Sequence, residues 1–389
     1  MNPRIAAAAA VALVLVPDRC RGQSDSSPNF AVAASSHLEQ RVDAIVAEGI
    51  AAGQMPGCVV CFGRQDGVVF LKAYGLRQVE PDVVPMTTDT VFDLASLTKP
   101  IATATAVMLF VEEGRLNLED QVADLIPEFA ANGKDEVTVF DLLTHQSGLI
   151  ADNAIADYAD GPEEAMRKIF QLKLQHPRRS KFTYSDVNFI VLGEVIRRVA
   201  GADLDALTQD RIFGPLGMHD TGYLPAEPLR QRAAPTERSG EDWLRGEVHD
   251  PRASKLGGVA GHAGLFSTAA DLAIYARAMA GGGECDGTRI LKADTVELMT
   301  RGYPVPGGLR GLGWDKRTGY SSNRGRLMSD AAFGHGGFTG TVLWIDPELD
   351  LFVIFLSSRL HPDGEGSVNQ LAGRIVDAAV EAIADHRRE

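Results

Sequence analysis

The stretch LASLTKPIATATAVMLFV, residues 94–111, decides the fold because it joins reactive side chains to a nearly continuous apolar run. A helix that is apolar on every side must be buried, and Gly114 is suited to end it. Pro100 belongs in an opening turn, so the sequence predicts a helix that begins near Ser96. Residues three apart share a helix face, and we therefore expect Lys99 to lie beside Ser96.

Ser96 and Lys99 form the outline of an activated nucleophile. An ammonium favours the alkoxide of a neighbouring hydroxyl, and desolvation in an apolar pocket is expected to lower the pKa of Lys99 until the amine accepts a proton. The pattern S-x-x-K alone is weak, because a chain of 389 residues should hold one by chance. A helix-capping serine beside a snorkelling lysine is the alternative interpretation.

A tyrosine motif, KFTYSDVN at residues 181–188, lies on a loop just before a helical pattern. Tyr184 is a candidate general base if a neighbouring cation lowers its pKa, and Lys99 would be such a cation. The alternative is that this turn only caps the helix that follows.

A glycine motif, FGHGGFTG at residues 333–340, leads into a β-rich run. Gly336 and Gly337 would let a strand backbone come close to a ligand and aim an N–H group at it, which an oxyanion hole requires. A β-bulge is the alternative reading of these glycines.

Both ends of the chain contain a pair of β-rich runs next to a helical pattern. The first pair, residues 57–63 and 68–74, is separated by a hairpin signal, and the second pair is residues 341–346 and 351–357. An isolated hairpin is marginal in water, so we expect the two ends to meet in one antiparallel sheet flanked by the first and last helices. With a mostly helical second region, this predicts an α+β fold of the α/β-sandwich type.

Composition and spacing exclude several classes of protein. The chain has 38 Lys+Arg and 52 Asp+Glu, a net charge of −14, which argues against nucleic-acid binding. No H-E-x-x-H or other tight ligand spacing occurs, so we expect neither a metal nor a cofactor. Cys58 and Cys61 lie three apart on a predicted strand and should point to opposite faces, which argues against a metal or redox pair.

The N-terminal segment has the pattern of an export signal. An apolar run of 12 residues, 5–16, follows Arg4 and is shorter than the ~20 residues needed to span a bilayer. We expect residues 1–33 to be a leader, and the protein to be periplasmic or secreted without a stable membrane span. A frayed apolar tail or a misassigned start codon is the alternative.

The three motifs in this order, with the serine on a helix, resemble those of the penicillin-recognising serine hydrolases. The branch they most resemble holds class C β-lactamases, serine DD-carboxypeptidases and family VIII esterases. Three further segments resemble the same family, namely LLTHQSGL at 142–149, FGPLGM at 213–218 and GVAGHAGLFST at 258–268. The resemblance implies a β-lactamase/transpeptidase-like fold and one catalytic unit over residues 37–385. Within it, residues 37–95 and 285–385 would form the sheet region and residues 96–284 the helical region.

The resemblance also implies a mechanism by acyl transfer. Ser96 would attack a carbonyl, Lys99 and Tyr184 would relay the proton, and the backbone N–H groups of Ser96 and Phe338 would hold the oxyanion. The implied activity is that of a DD-carboxypeptidase, an esterase or a weak β-lactamase, acting on ester or amide bonds of a small-molecule or peptidoglycan-derived substrate. A sensor that is acylated without turnover is the alternative.

Two positions depart from the family pattern. Asp186 stands where the family usually has asparagine, with Asn188 two residues later, and a carboxylate near Lys99 would raise the pKa of the lysine unless it points away. His335 replaces the lysine typical of β-lactamases, so we expect a weaker and pH-dependent attraction for a substrate carboxylate. This favours a peptidase or an esterase.

Overall fold

The computed structural model describes residues 28–364 and 366–386. Residues 1–27 of the predicted leader lie outside this range, so export stays a prediction. Among the described residues, none of the helices combines the length and the apolar character needed to cross a bilayer.

The described residues form helices and strands along the whole chain. The helices are α1 Pro28–Ala51, α2 Thr105–Glu112, α3 Val122–Leu125, α4 Val139–Leu143, α5 Pro162–Phe170, α6 Asp186–Ala200, α7 Leu204–Thr208, α8 Gly214–Leu216, α9 Glu227–Arg232, α10 Pro251–Lys255, α11 Ala269–Ala280, α12 Ala293–Thr300 and α13 Asn369–His386. The strands are β1 Gly57–Arg64, β2 Gly67–Gln78, β3 Val84–Pro85, β4 Phe92–Asp93, β5 Gly222–Tyr223, β6 Pro235–Ser239, β7 Asp242–Arg245, β8 Leu265–Ser267, β9 Glu284–Cys285, β10 Thr288–Arg289, β11 Tyr303–Val305, β12 Gly308–Arg310, β13 Asp315–Arg317, β14 Phe333–Gly337, β15 Thr341–Asp346 and β16 Leu351–Ser357.

A nine-stranded antiparallel sheet, in the order β11-β12-β13-β14-β15-β16-β1-β2-β3, is the centre of the fold. Strand β1 from the N-terminal half pairs with β16 from the C-terminal end, in a register that runs from Cys58↔Ser357 to Gly63↔Phe352. The two ends of the chain therefore meet in one sheet, and the predicted α+β class is confirmed. The division into a sheet region and a helical region with the bounds given above stays a prediction.

Each face of this sheet is covered by helices. Val60 and Cys58 pack with α1 and α13, whereas Val59 and Cys61 pack with α11 and the helices of the middle of the chain. The alternation of side chains along β1 buries both faces, and each fully buried aliphatic side chain contributes about 1.5–3 kcal/mol. The two cysteines point to opposite faces, as predicted.

The predicted helix start near Ser96 is wrong in detail. Ser96 lies in a short 3₁₀ turn, Ala95–Leu97, which is followed by a π-helical segment, Lys99–Ala104, before α2 begins. Pro100 has no N–H group to close an α-helical turn onto the Ser96 carbonyl, which accounts for the departure from α geometry. Ser96 and Lys99 are still neighbours in space.

Candidate active site

The turn that carries Ser96 is held by a buried carboxylate. Ala95 has a φ of +46°, which is unusual for a residue with a side chain. Its N–H group donates to Asp93 Oδ1 at 2.8 Å, and the N–H group of His249 donates to Asp93 Oδ2 at 2.7 Å. Burial raises the pKa of Asp93 despite these hydrogen bonds. Asp93 therefore connects the strained turn to the loop that precedes α10.

Strand β14 approaches the same turn closely. A Cβ atom at Gly337 would overlap Thr341 Oγ1 and the Leu94 carbonyl oxygen, so only glycine fits there without a shift. The Thr339 hydroxyl donates to the Asp93 carbonyl at 2.7 Å, and the Thr341 hydroxyl donates to the Leu94 carbonyl at 3.0 Å. Gly337 thus lets β14 pack against the turn that carries Ser96, while the predicted approach of this backbone to a ligand stays a prediction.

The Lys99 ammonium is fully buried and has three partners. Nζ donates to Ser96 Oγ at 2.9 Å and to the His262 carbonyl at 3.1 Å, and it forms an ion pair with Asp186 Oδ1 at 2.6 Å. The ammonium thus makes two hydrogen bonds and one ion pair. The amine holds Ser96 against the start of α6.

The expected lowering of the lysine pKa is wrong. Burial alone would lower the pKa of Lys99, but the negative charge of Asp186, together with Tyr184, raises it. Asp186, the first residue of α6, faces Lys99, so the rise in pKa expected for a carboxylate near the lysine outweighs the effect of desolvation. Lys99 is therefore an ammonium at neutral pH.

Tyr184 also departs from expectation. Its ring lies 5.0 Å from Lys99 Nζ and packs against His145 and Tyr320 with centroid distances of 4.6 Å and 4.9 Å. Burial raises the pKa of Tyr184 and outweighs the opposing effects of Lys99 and the Ser96 hydroxyl. The phenol is therefore protonated at neutral pH, and its buried hydroxyl has no hydrogen bond of regular geometry with the described residues.

Asp186 and Asn188, the two candidates in the tyrosine motif, have different partners in the structure. Asp186 points toward Lys99, whereas Asn188 is fully buried and its Oδ1 accepts a hydrogen bond from the Ser147 hydroxyl at 2.6 Å. Asp186 is the side chain that orients Lys99. Asn188 instead stabilises the loop that follows α4.

His335 lies behind the site. It is 4% exposed, its Nδ1 is 2.8 Å from the Gly336 carbonyl, and its ring is 5.8 Å from the Tyr184 ring. Burial, followed by the charges of Arg310 and Lys99, holds the pKa of His335 well below its ordinary value. The burial of His335 behind the Tyr184 ring is consistent with the expected weak attraction for a substrate carboxylate, and the pH dependence of that attraction stays a prediction.

A cleft of about 370 Å³ opens onto Ser96. Its walls are formed by Ala95, Ser96, Ala151, Asp152, Tyr184, Asp186, His249, Asp250, Arg252, His262, Ala263 and Phe338. Phe338 is 60% exposed at the rim, 5.3 Å from the His249 ring. A larger cavity of about 900 Å³ among α5, α6 and α7 contains none of the three motif residues Ser96, Lys99 and Tyr184.

Sequence reasoning missed several residues of this cleft. Asp250 Oδ1 accepts hydrogen bonds from the backbone N–H groups of Arg252 and Ala253 and lies 2.9 Å from His262 Nε2. Although burial alone would raise the pKa of Asp250, the hydrogen bond to His262 lowers it. The Asp-Pro pair at the start of α10 is a helix-cap signal that could have indicated Asp250, but nothing in the sequence indicates that Asp152 lines the cleft.

Asp186, Asp250 and His262 form a grouping that could hold a metal ion, with donor atoms within 4.8 Å of one another. Two of these donors are already committed, since Asp186 Oδ1 pairs with Lys99 and Asp250 Oδ1 accepts three hydrogen bonds. The positive charge of Lys99 also opposes a divalent cation at this place. The donor set fits an internal charge network better than a metal centre.

Comparison with known proteins identifies the family. The family model described as Beta-lactamase matches residues 42–378. A protein of Escherichia coli (strain K12), provisionally named D-alanyl-D-alanine carboxypeptidase, is 32% identical over 377 residues, which cover 87% of this chain and 86% of that protein. The N-acetylmuramyl-L-alanine amidase of Bacillus subtilis (strain 168) is 31% identical over 360 residues, which cover 83% of this chain and 81% of the amidase.

Solved structures share the fold. A penicillin-binding protein homolog from Caulobacter crescentus has a TM-score of 0.73 at 24% identity and covers 89% of this chain and 97% of its own. A family VIII carboxylesterase has a TM-score of 0.69 at 22% identity and covers 92% of this chain and 99% of its own. The chain therefore belongs to the β-lactamase family and is a serine acyl hydrolase.

Proposed function

We propose that Ser96 forms an acyl-enzyme with small-molecule or peptidoglycan-derived esters and amides. The observation that carries the proposal is the Lys99 ammonium, which bridges Ser96 Oγ and Asp186 at the floor of a cleft that Tyr184 also lines. The names of the E. coli and B. subtilis relatives support a substrate derived from peptidoglycan. Export through residues 1–33 belongs to the same proposal, because such a substrate lies outside the cytoplasm.

Tyr184 acts as a proton shuttle. Lys99 donates to Ser96 Oγ, so the serine proton does not point at the lysine, and we assign the Tyr184 hydroxyl, which lines the same cleft, as the group that accepts it. As Ser96 Oγ bonds to the carbonyl carbon, its proton passes to Tyr184 Oη, and the phenol proton passes to the leaving oxygen or nitrogen. This exchange leaves Tyr184 neutral and Lys99 charged throughout, which is consistent with the raised pKa of each group.

The remaining charge is stabilised by fixed groups. The Lys99 ammonium stabilises the developing alkoxide, and the backbone N–H groups of Ser96 and Phe338 stabilise the oxyanion. In deacylation, water gives its proton to Tyr184 as the phenol returns a proton to Ser96 Oγ. The reaction sequence is then complete, with one acyl group transferred to water.

The neutral, buried His335 favours some substrates over others. A substrate carboxylate beside the scissile bond finds no cation at this position. Esters and amides without such a carboxylate are therefore the preferred class, whereas β-lactams and peptides that end in D-Ala-D-Ala are poor substrates. A peptidoglycan-derived substrate would then be cleaved at a bond without a free carboxylate beside it.

The test is multiple-turnover hydrolysis of p-nitrophenyl butyrate, a D-Ala-D-Ala peptide and a chromogenic cephalosporin. We expect the ester to turn over fastest, and Ser96→Ala to reduce every rate to background. The exposed Ser239 in β6 provides a matched control, and Ser239→Ala should keep the wild-type rates. One stable adduct without steady-state product would favour the sensor alternative, and wild-type rates in Ser96→Ala would contradict the proposal.

A further inference from the structure

One wall of the cleft carries more negative than positive charge. Asp152, Asp186 and Asp250 line it, and the cations near them are Arg252 on the wall and Lys99 beneath it. The three carboxylates therefore outnumber the two side chains, Lys99 and Arg252, that are cations at neutral pH. Ser96 lies in the same cleft, so a bound substrate is exposed to this charge.

The three carboxylates differ in the ion pairs and hydrogen bonds that they form. Asp186 is paired with Lys99 at 2.6 Å, and Asp250 accepts its hydrogen bonds through Oδ1. Asp152 has a 47% exposed side chain and lies 3.5 Å from Arg252 Nη1. The Arg252 guanidinium is mainly held elsewhere, since Nε and Nη2 donate to the Asn153 carbonyl at 3.0 Å and 2.8 Å.

Repulsion within the wall acts on Asp152. Burial, and then the charges of Asp186 and Asp250, raise the pKa of Asp152. A cation bound beside Asp152 would relieve this repulsion, whereas an anion would add to it. The wall therefore prefers a positively charged substrate group.

His262 adds a buried, unpartnered polar atom to the same wall. Its side chain is 1% exposed, and Nε2 lies 2.9 Å from Asp250 Oδ1. Nδ1 has no hydrogen-bond partner among the described residues. The carboxylates of the wall are acceptors, and an ammonium supplies three donors.

We propose that the cleft selects acyl substrates with a protonated amine next to the scissile carbonyl, such as aminoacyl esters and amides, and that Asp152 is the specificity-determining residue that binds the amine. This inference rests on the proposed function, since the acyl group must be attached to Ser96 while the amine meets Asp152. Ser96 and Asp152 line the same cleft of about 370 Å³, and we therefore place the amine on the α-carbon of the acyl group.

The test compares three esters at neutral pH and low salt, namely alanine ethyl ester, N-acetylalanine ethyl ester and ethyl hydrogen succinate. Each of the two alanine esters is tested in the L and in the D configuration. Ethanol release gives kcat/KM for each. We expect the free amine to be preferred over its N-acetyl form by about tenfold, the effect of a partly desolvated ion pair, and the carboxylate ester to be the poorest substrate. Asp152→Asn should lower the ratio of the two kcat/KM values, free amine over N-acetyl ester, from about tenfold to about twofold.

The control variant is Asp242→Asn, which removes the same charge from β7 and does not line the cleft. It should keep the preference of the wild-type protein. A preference that survives Asp152→Asn would overturn the role of Asp152, and equal or faster hydrolysis of the N-acetyl ester would overturn amine selection. A preference for the succinate ester would show that Arg252, and not Asp152, binds the charged group of the substrate.

The two proposals fail in different ways. Ser96-dependent hydrolysis of N-acetylalanine ethyl ester without any gain from the free amine refutes amine selection and leaves the acyl-enzyme proposal intact. Absence of Ser96-dependent hydrolysis with all of these esters and with p-nitrophenyl butyrate refutes both.

Discussion

The two walls of the cleft differ in their chemical groups, and we therefore expect them to have different roles in catalysis. One wall, the charged wall, contains the ion pair of Lys99 with Asp186 at 2.6 Å and the contact of His262 with Asp250 at 2.9 Å. The other wall, strand β14 and its turn, approaches Ser96 with glycine backbone and has the neutral His335 buried behind it. The charged wall should control proton transfer and its pH dependence, and the backbone wall should control stabilisation of the oxyanion.

The largest effects are expected from the proton-transfer groups. Lys99→Ala and Tyr184→Phe should each lower kcat by at least ~100-fold, because the first removes the charge that stabilises the alkoxide and the second removes the shuttling hydroxyl. Steady-state kinetics on p-nitrophenyl butyrate measures both.

Lys99→Ala leaves Asp186 without its counter-ion, and breaking a buried pair costs about 3–5 kcal/mol. Thermal unfolding therefore accompanies the kinetics, and the double variant Lys99→Ala with Asp186→Asn removes the unpaired charge. A near-normal kcat in folded Lys99→Ala and in folded Tyr184→Phe would show that neither side chain takes part in the mechanism.

An intermediate effect is expected from the backbone wall. Gly337→Ala should lower kcat on the order of 10- to 100-fold, because the new Cβ pushes β14 away from the Leu94 carbonyl and displaces the turn that carries Phe338. The pH profile should keep its shape, since no charge changes. Gly319→Ala is the control, because a Cβ there meets no atom within 4 Å; equal kinetics in the two variants would refute the role of the close approach.

The smallest effect, a shift of the pH profile, distinguishes the two possible roles of Lys99. Asp186 raises the pKa of Lys99, so Asp186→Asn should lower that pKa and cause the ammonium to lose its proton at lower pH. If the ammonium assists catalysis, the alkaline decline of kcat/KM moves down by about one pH unit. If kcat/KM instead rises with pH, and Asp186→Asn moves this rise to lower pH, neutral Lys99 is the base.

The sequence predicts the sheet and the pairing of Ser96 with Lys99 because both depend on short-range spacing. The hairpins of β1 with β2 and of β15 with β16 follow from neighbouring apolar runs, and one helical turn brings Lys99 to Ser96 even though the turn is not α-helical. The joining of the two ends follows from the instability of an isolated hairpin.

The assembly of the charged wall could not be predicted because its carboxylates lie on separate segments, with Asp186 at the start of α6 and Asp250 at the N-cap of α10. Asp152, Asp186 and Asp250 are dispersed along the chain, and only the packing of α6 and α10 around the cleft brings them together. The direction of the Lys99 pKa depends on that packing, which is why burial alone suggested a lowered value. His335 was expected at the substrate, but its 4% exposure follows from the burial of β14 within the sheet.

Covalent trapping tests the central claim most directly. Wild-type protein mixed with p-nitrophenyl butyrate and quenched in acid within the first turnovers should gain the mass of one butyryl group, and peptide mapping should assign it to Ser96. An acyl group on another residue, or turnover without any adduct together with an active Ser96→Ala variant, would contradict the account.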